Sequence, residues 1–521
     1  MKKLKIGIID LIYNKPSKSL YRRFMYPNFM SIMPQVIGVW CREEGHEVQY
    51  SIYTGTQRID RLLADDLDIV FISSFSYSAQ LAYALSKYFH SKGTATVLGG
   101  PHARSYTEDA CLYFDYVLGL TDKELLLDLL HNFEAKNPQG TYLTARSHPN
   151  SLPGVRDRWE FIEQLHKLPL IFKGIPMIGS FGCPFQCDFC IEADIPYQSL
   201  DMDVIKEDFK FLIKKYKRPV VGWRDPNFGI QFNALMDTLE LAVPPGSIKF
   251  FAQCTLSSLS ESKVQRLKKN GFIMIAVGIE SWFDYGTKAK MEFITGMDKV
   301  KQIAQQLNMV QQYIPLVQAN IMYGFDSQAG PEPFTLTKRF IDLAPGIYPA
   351  YALLTAFGQG TRYNSENNLE NRIIPFPFHM MLGLNNLNIM PKNYSWEEFY
   401  TLYIDLLKYS FSARVMYNRF KANPDRAARL FTLFLSLSEG GSGKIRHVAS
   451  ILKNFRTKKD FRSFMNKETD QIPAYMIEQV RKDLGPIWEW LPDKTLSQCA
   501  KMLLNALAGS HDHIQPVMGT I

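Results

Sequence analysis

Two stretches of this chain alternate short apolar runs with amphipathic ones, and that rhythm restricts the fold more than any other feature. In the first, candidate strands fall at residues 4–10, 46–53, 68–73, 94–99 and 115–119, with helices at 35–45 and 79–90. Strands alternating with helices in this way predict a parallel sheet wound with helices on both faces. In the second, candidate strands fall at 176–180, 218–224, 249–254, 274–281, 317–326 and 351–361, with helices at 203–216, 261–270 and 298–307. Six such units predict a partial barrel that presents ligands on the carboxyl rim of its strands. A length of 521 residues accommodates about three domains, each able to bury its own core. The expected fold class is therefore α/β. An N-terminal doubly wound, Rossmann-like domain (1–135) leads through a linker (136–172) to a partial (β/α)6 barrel (173–385). A helical C-terminal domain (386–521) follows.

Chemistry concentrates just past the first strand of the barrel. Cys183, Cys187 and Cys190 fall within eight residues, and no Cys or His follows until Cys254. Thiolates this close repel one another unless a cation neutralises them, and soft sulfur ligands suit iron–sulfur clusters and zinc. A zinc site would want a fourth nitrogen or sulfur ligand, usually from a second pair. Three thiolates on a four-iron cluster leave one iron open for a substrate or cofactor. A structural zinc or a set of buried thiols is the bland alternative. Seven cysteines are no disulfide framework in a chain of this size, which points to a reducing cytoplasm.

The spacing Cys-x3-Cys-x2-Cys, with Phe189 before the last cysteine, resembles the signature of the radical S-adenosylmethionine (SAM) superfamily. Gly278-Ile-Glu-Ser281 is similar to that family's "Gly-x-Glu-Ser" strand end, and Asn320 to Asp326 to its "Asn-x-x-x-Gly-x-Asp" strand. Leu354 to Thr361 resembles its "Leu-Thr-Pro-x-Pro-Gly-Thr" turn with both prolines replaced, and Gly222-Trp-Arg-Asp225 stands where it has Gly-Gly-Glu. The resemblance implies a [4Fe–4S] cluster on Cys183, Cys187 and Cys190, with SAM bound on the open iron. Phe189 and Ile191 would touch its adenosine. Asp225, Gln253, Glu280 and Asn320 are polar groups at or near strand ends, where an unpartnered group would cost a few kcal/mol; each is a candidate SAM contact or a member of a rim hydrogen bond.

The first domain resembles the cobalamin-binding domain found ahead of many radical SAM domains. The matches are the long loop after the first strand, Arg42 to Val48, the serine-rich loop Ser73-Ser74-Phe-Ser76 and Gly99-Gly100-Pro-His102. Ser73, Ser74, Gly99, Gly100 and His102 are thus the implied corrin contacts, at the strands' carboxyl ends. Two departures stand out. The cobalt-ligand motif Asp-x-His-x-x-Gly has Ile12 in place of its histidine, and Gly119-Leu-Thr-Asp-Lys-Glu124 replaces the acidic Gly-Glu-Gly-Glu turn. Cobalamin would bind without a histidine from that loop, or the sheet would serve as a scaffold.

The last part of the chain is helical and basic. From Phe411 onward 17 Lys/Arg oppose 10 Asp/Glu, +7 of a total of +8. Between Lys444 and Lys467 eight basic residues meet one acid, with Ile445, Val448, Ile451, Leu452 and Phe455 at helical spacing. Such a helix suits an anionic membrane surface or an ordinary packed position with a solvated face. No run reaches the roughly 18 apolar residues of a membrane span, and no nucleic-acid-binding module is visible.

The function expected from the resemblance is reductive cleavage of SAM to a 5′-deoxyadenosyl radical, with cobalamin-dependent methylation of an unactivated carbon. Such chemistry draws electrons from a donor such as flavodoxin or ferredoxin. Its substrate would be a lipid, a peptide or a small natural-product precursor. The alternatives are a radical SAM oxidoreductase, cyclase or carbon–carbon coupling enzyme, with or without cobalamin, and an iron–sulfur electron carrier. A tRNA methylthiotransferase would want a second cysteine trio near the N-terminus, where only Cys41 and Cys111 stand.

Overall fold

The computed structural model describes residues 2–12, 20–55, 57–133, 140–171, 173–289, 291–365, 372–381, 386–493 and 495–496. Lys5–Leu11 (β1), Glu47–Tyr53 (β2), Ile69–Ser73 (β3), Ala95–Gly99 (β4), Tyr116–Leu118 (β5) and Thr141–Leu143 (β6) form one parallel sheet, ordered β2-β1-β3-β4-β5-β6. Six of the seven residues of β1 are buried, as a central strand covered on both faces requires. Helices Met33–Glu43 and Ala79–His90 supply much of that cover. The strand order reverses direction between β1 and β3, so the crevice for a ligand lies outside their carboxyl ends.

The sheet reaches further along the chain than its alternation suggests. Thr141–Leu143 falls in the stretch read as linker, yet it pairs with β5 in register. Only three residues long, two of them exposed, it carries no periodic signal. Trp159–His166, from the same stretch, forms a helix that packs on this domain. A side chain at Gly38 would come within 2.6 Å of the Phe161 ring, and Arg158 donates to Gln35 Oε1 at 2.8 Å.

The second sheet is built from Gly174–Met177 (β7), Val220–Trp223 (β10), Lys249–Thr255 (β11), Phe272–Glu280 (β12), Leu316–Tyr323 (β13) and Tyr348–Leu353 (β14). Its order is β14-β13-β12-β11-β10-β7, all parallel. Between β7 and β10, Ser180–Phe181 (β8) and Gln198–Ser199 (β9) close a short antiparallel hairpin. From β11 to β14 the residues of one face, such as Ala252, Val277, Ala319 and Leu353, are buried. Gln253, Ala276, Gln318, Asn320 and Ala350, on the other face, keep some exposure, so these strands wrap an open lumen.

Helices Trp396–Ser410, Ala413–Ala422, Arg426–Leu437, Gly443–Thr457, Lys459–Met465 and Ala474–Leu484 complete the described chain. A helix read over Thr495 to Leu507 lies outside the described residues beyond Leu496. Helix Gly443–Thr457 buries Val448, Ile451, Leu452 and Phe455, so its apolar face is already taken up in packing. Among the described residues no helix is long and apolar enough to cross a membrane.

Candidate functional site

The three cysteines sit in the loop closed by the β8–β9 hairpin. Gly182 opens that loop with φ +65°, and a side chain there would meet the Pro196 and Ile195 carbonyls at 2.4 and 2.5 Å. Only glycine fits both constraints. Inside the loop, Cys190 N–H donates to the Cys187 carbonyl at 2.9 Å and Ala193 N–H to the Cys190 carbonyl at 3.1 Å. The loop's outer side is tied down by Arg362, which reaches Asp194 at 2.7 Å and Gln186 at 3.3 Å. Cys187 is buried, Cys183 and Cys190 are half-buried, and all three are free thiols. Burial raises the Cys187 thiol and pushes Cys190 up to about 11, with each raised further by a neighbouring cysteine. Left alone Cys187 and Cys190 stay protonated, and a cationic centre is what would hold them as thiolates. Among the described residues no three Cys, His, Asp or Glu side chains converge tightly enough to chelate one ion. A cluster takes each thiolate on a separate iron and spreads its ligands accordingly.

The rim residues fall into two groups. Asp225, 6% exposed, accepts from Gly179 N–H at 2.6 Å, Ser180 N–H at 3.1 Å and Ser180 Oγ at 2.9 Å. Its carboxylate is therefore engaged at the base of the cysteine hairpin, and burial pushes it up to about 6. Glu280 ends β12 at a register shift, with φ +63°. Such a backbone is strained for a non-glycine residue and re-aims its side chain. It accepts from Lys288 Nζ at 2.8 Å. Burial works to lower the Lys288 ammonium, but Glu280 and Cys187 outweigh it and raise it.

Gln253 and Asn320 face the lumen, Gln253 exposed and Asn320 accepting from Gln318 at 2.8 Å. Phe189 packs edge-on against Tyr285 and Phe325, at 5.1 and 5.9 Å between ring centres. Ile191 is half-buried beside it in the chain.

A cavity of about 350 Å³ opens where the carboxyl edges of the two sheets meet. Ser73, Gly99, Gly100 and Gly119 line one side, and Ile178, Phe181, Glu192 and Arg224 the other. Nothing lies within 4 Å of where a Gly99 side chain would project, and Gly100 turns at φ +94°. That gives a flat, glycine-paved floor on the N-terminal sheet, suited to a planar macrocycle such as a corrin.

Ser74 and His102 are not on this wall. Ser74 is buried with its hydroxyl on the Phe75 carbonyl at 2.9 Å. His102 has no exposure; Nε2 lies 2.6 Å from Tyr83 Oη and Nδ1 3.3 Å from Ser76 Oγ. Burial pushes its imidazole down to about 3, so it is a neutral core residue. Ile12, also wholly buried, points into the core as well.

Three cavity residues escape sequence reasoning. Arg104 bridges to Glu192 at 3.0 Å and so ties the Gly100–Pro101 turn to the cysteine loop. His148, from the stretch read as linker, stacks flat on Phe181 with ring centres 4.0 Å apart. Burial, helped by Arg104, pushes its imidazole down to about 4. Arg224 reaches across to the Pro27 carbonyl at 2.6 Å. The only sequence signal among these was that Arg224 falls in the tetrapeptide replacing Gly-Gly-Glu.

Comparison with known proteins bears on this geometry. Residues 177–327 match the model of the Radical SAM superfamily. The chain is 20% identical over 369 residues to bacteriochlorophyllide d C-12(1)-methyltransferase of Chlorobaculum tepidum, covering 68% of this chain and 77% of the relative. It is 27% identical over 236 residues to the C-8(2)-methyltransferase of the same organism, covering 42% of this chain and half of that relative. The cobalamin-dependent S-adenosylmethionine radical enzyme OxsB, with aqua-cobalamin bound, shares the fold over 97% of this chain and 84% of its own, with TM-score 0.57 and 12% identity. The radical S-adenosylmethionine methyltransferase TsrM from Kitasatospora setae, with tryptophan and a SAM analogue, shares it over 87% and 99%, with TM-score 0.52 and 12% identity.

Proposed function

We propose that the chain is a cobalamin-dependent radical SAM methyltransferase acting on an unactivated carbon, proceeding from the match of residues 177–327 to the Radical SAM superfamily. The observation that carries this reading is the chamber between the two sheets, whose wall Phe181 and Glu192 flank the cysteine loop on either side. Two curated relatives are methyltransferases, which supports the reaction type.

When bound, a [4Fe–4S] cluster supplies the electron that cleaves SAM, and cobalamin supplies a carrier for the methyl group. The chain's own residues do the positioning. Cys183, Cys187 and Cys190 would ligate the cluster, held in place by the Asp225 clamp below and Arg362 outside. Ser73, Gly99, Gly100 and Gly119 would floor the corrin. Phe189 and Ile191 would meet the adenosine, and Glu280, with Lys288 neutralising it, stands close enough to Cys187 to act on its thiol. The lumen beyond, where Gln253, Gln318 and Asn320 keep some exposure, would take the group to be methylated. The walls of the chamber between the two sheets would shield the reaction from water and oxygen. A low-potential flavodoxin or ferredoxin would supply the electrons.

The test is anaerobic reconstitution with iron, sulfide and hydroxocobalamin, followed by metal analysis and detection of 5′-deoxyadenosine and S-adenosylhomocysteine from SAM. The expected result is one cluster and one corrinoid per chain, with both products. A protein that cleaves SAM but takes up no cobalt would refute the methyltransferase reading.

A further inference from the structure

Among the described residues Arg224 is a cation with no counter-ion. Its Nη2 donates to the Pro27 carbonyl at 2.6 Å, its Nε is buried without a partner, and among the described residues no carboxylate pairs with it. The neighbouring Asp225 is held by Gly179 and Ser180. Glu192, the acid on the cavity wall, is held by Arg104. Among the described residues the cavity therefore carries an uncompensated guanidinium, that of Arg224. His148, neutral on the same wall, adds no negative charge. Burial alone pulls Arg224 down to about 10, so it stays protonated at neutral pH. Burying a charge without a partner is costly, and where a folded chain keeps one beside a cavity a ligand can complete the pair. Guanidinium forks match carboxylate and phosphate oxygens in geometry and charge.

We propose that Arg224 docks an oxyanion, a carboxylate or phosphate, of the ligand that fills the chamber between the two sheets. The inference rests on reading that chamber as a ligand site. It adds that one occupant is an acid and that Arg224 selects it. Two sources share this chemistry: the phosphodiester of the cobalamin nucleotide tail, and an acid group on the methyl acceptor.

The rival role is structural, a strap that holds the Pro27 loop. Arg224→Met in the full chain separates the two, because they change ligand-free stability in opposite directions. Removing an uncompensated cation leaves the Tm unchanged or raises it; cutting a strap lowers it. Alongside the Tm, binding of aquacobalamin and of cobinamide, which lacks the nucleotide phosphate, is titrated by absorbance. Thermal stabilisation by inorganic phosphate or succinate is measured against chloride at constant ionic strength. If the tail is the source, aquacobalamin binds at least tenfold more weakly to Arg224→Met and cobinamide binds unchanged. If the methyl acceptor is the source, both corrinoids bind as before and the stabilisation by phosphate or succinate seen in the wild type disappears. Arg224→Lys, which keeps the charge but not the fork, falls between and serves if the Met variant does not fold. Corrinoid and anion responses equal to the wild type, with or without a lower Tm, would overturn the proposal. A wild type that binds no corrinoid at all would refute the cobalamin reading instead, while the anion measurements still decide the role of Arg224.

Discussion

Asp225 offers the sharpest test of how the cysteine loop is held. Three donors end on its buried carboxylate: Gly179 N–H and Ser180 N–H on Oδ1, and Ser180 Oγ–H on Oδ2. In Asp225→Ala all three lose their acceptor, and at about 1–2 kcal/mol for each orphaned donor the loss is roughly 3–6 kcal/mol. That is a large share of the ~5–15 kcal/mol that holds a typical domain together. Asp225→Asn behaves differently, because its carbonyl oxygen still accepts both backbone N–H groups while its amide donates to a reoriented Ser180 hydroxyl.

The asparagine also removes a charge that burial disfavours. The Asp225 pKa rises from 3.8 to about 6, so its contribution to stability is complete below about 4 and is lost as pH rises through about 6. A shift of about two units corresponds to about 3 kcal/mol. Asp225→Asn should thus equal or exceed the wild type at pH 7.5 and lack its decline between pH 4 and 6. Asp225→Ala should be the least stable at every pH and should take up less iron, because the base of the hairpin is loosened. Thermal melts of the ligand-free proteins at pH 5 and 7.5, with iron counted after anaerobic reconstitution, check all of this. An asparagine variant as unstable at pH 7.5 as the alanine variant would refute the reasoning, since the negative charge itself would then be required.

Other outcomes follow from the same geometry. Replacing Cys183, Cys187 and Cys190 together by Ala should abolish visible iron–sulfur absorption and SAM cleavage while the far-ultraviolet circular dichroism stays that of the wild type, because these thiols sit on a loop and not in a core; retained iron at wild-type stoichiometry would refute it. Lys444 is 5% exposed and donates to the Tyr351 carbonyl, and burial pushes its ammonium down from 10.5 to about 7. The unfolded chain then binds the extra proton between pH 7 and 10.5, so stability should rise with pH across that window. Lys444→Met should raise the Tm at pH 7 by removing a penalty of a few kcal/mol and should flatten the alkaline rise, which melts at pH 7 and 9.5 would reveal. With cobalamin bound and reduced to cobalt(II), electron paramagnetic resonance should show no nitrogen superhyperfine splitting, because Ile12 is buried in the core and His148 is held flat on Phe181. A single-nitrogen splitting that vanishes in His148→Ala would place that imidazole on the metal.

The local parts of this protein were legible in its sequence. Both runs of parallel strands were, because the apolar periods of strands and helices come from backbone geometry and need no partner to be seen. The cysteine loop was too, since its three thiols lie within eight residues and Gly182 and the flanking strand are part of the same segment. The helix Gly443–Thr457 was equally visible, but not that its apolar face would be taken up in packing. What depends on pieces far apart in the chain could be read only from the fold. His102 stood in the right motif and turned out to face Tyr83 and Ser76, because the turn at Gly100 sends Arg104 toward the cavity and the imidazole inward. Thr141–Leu143 was too short to show a period, and only its pairing with β5 makes it a strand. Arg224 and Pro27 are nearly two hundred residues apart, and Arg104 and Glu192 nearly ninety. A strand's periodicity says which face of it is buried. Which strand end meets which across a cavity is set by the docking of one sheet on another, and the place of Arg224 beside that cavity exists only once the docking is made.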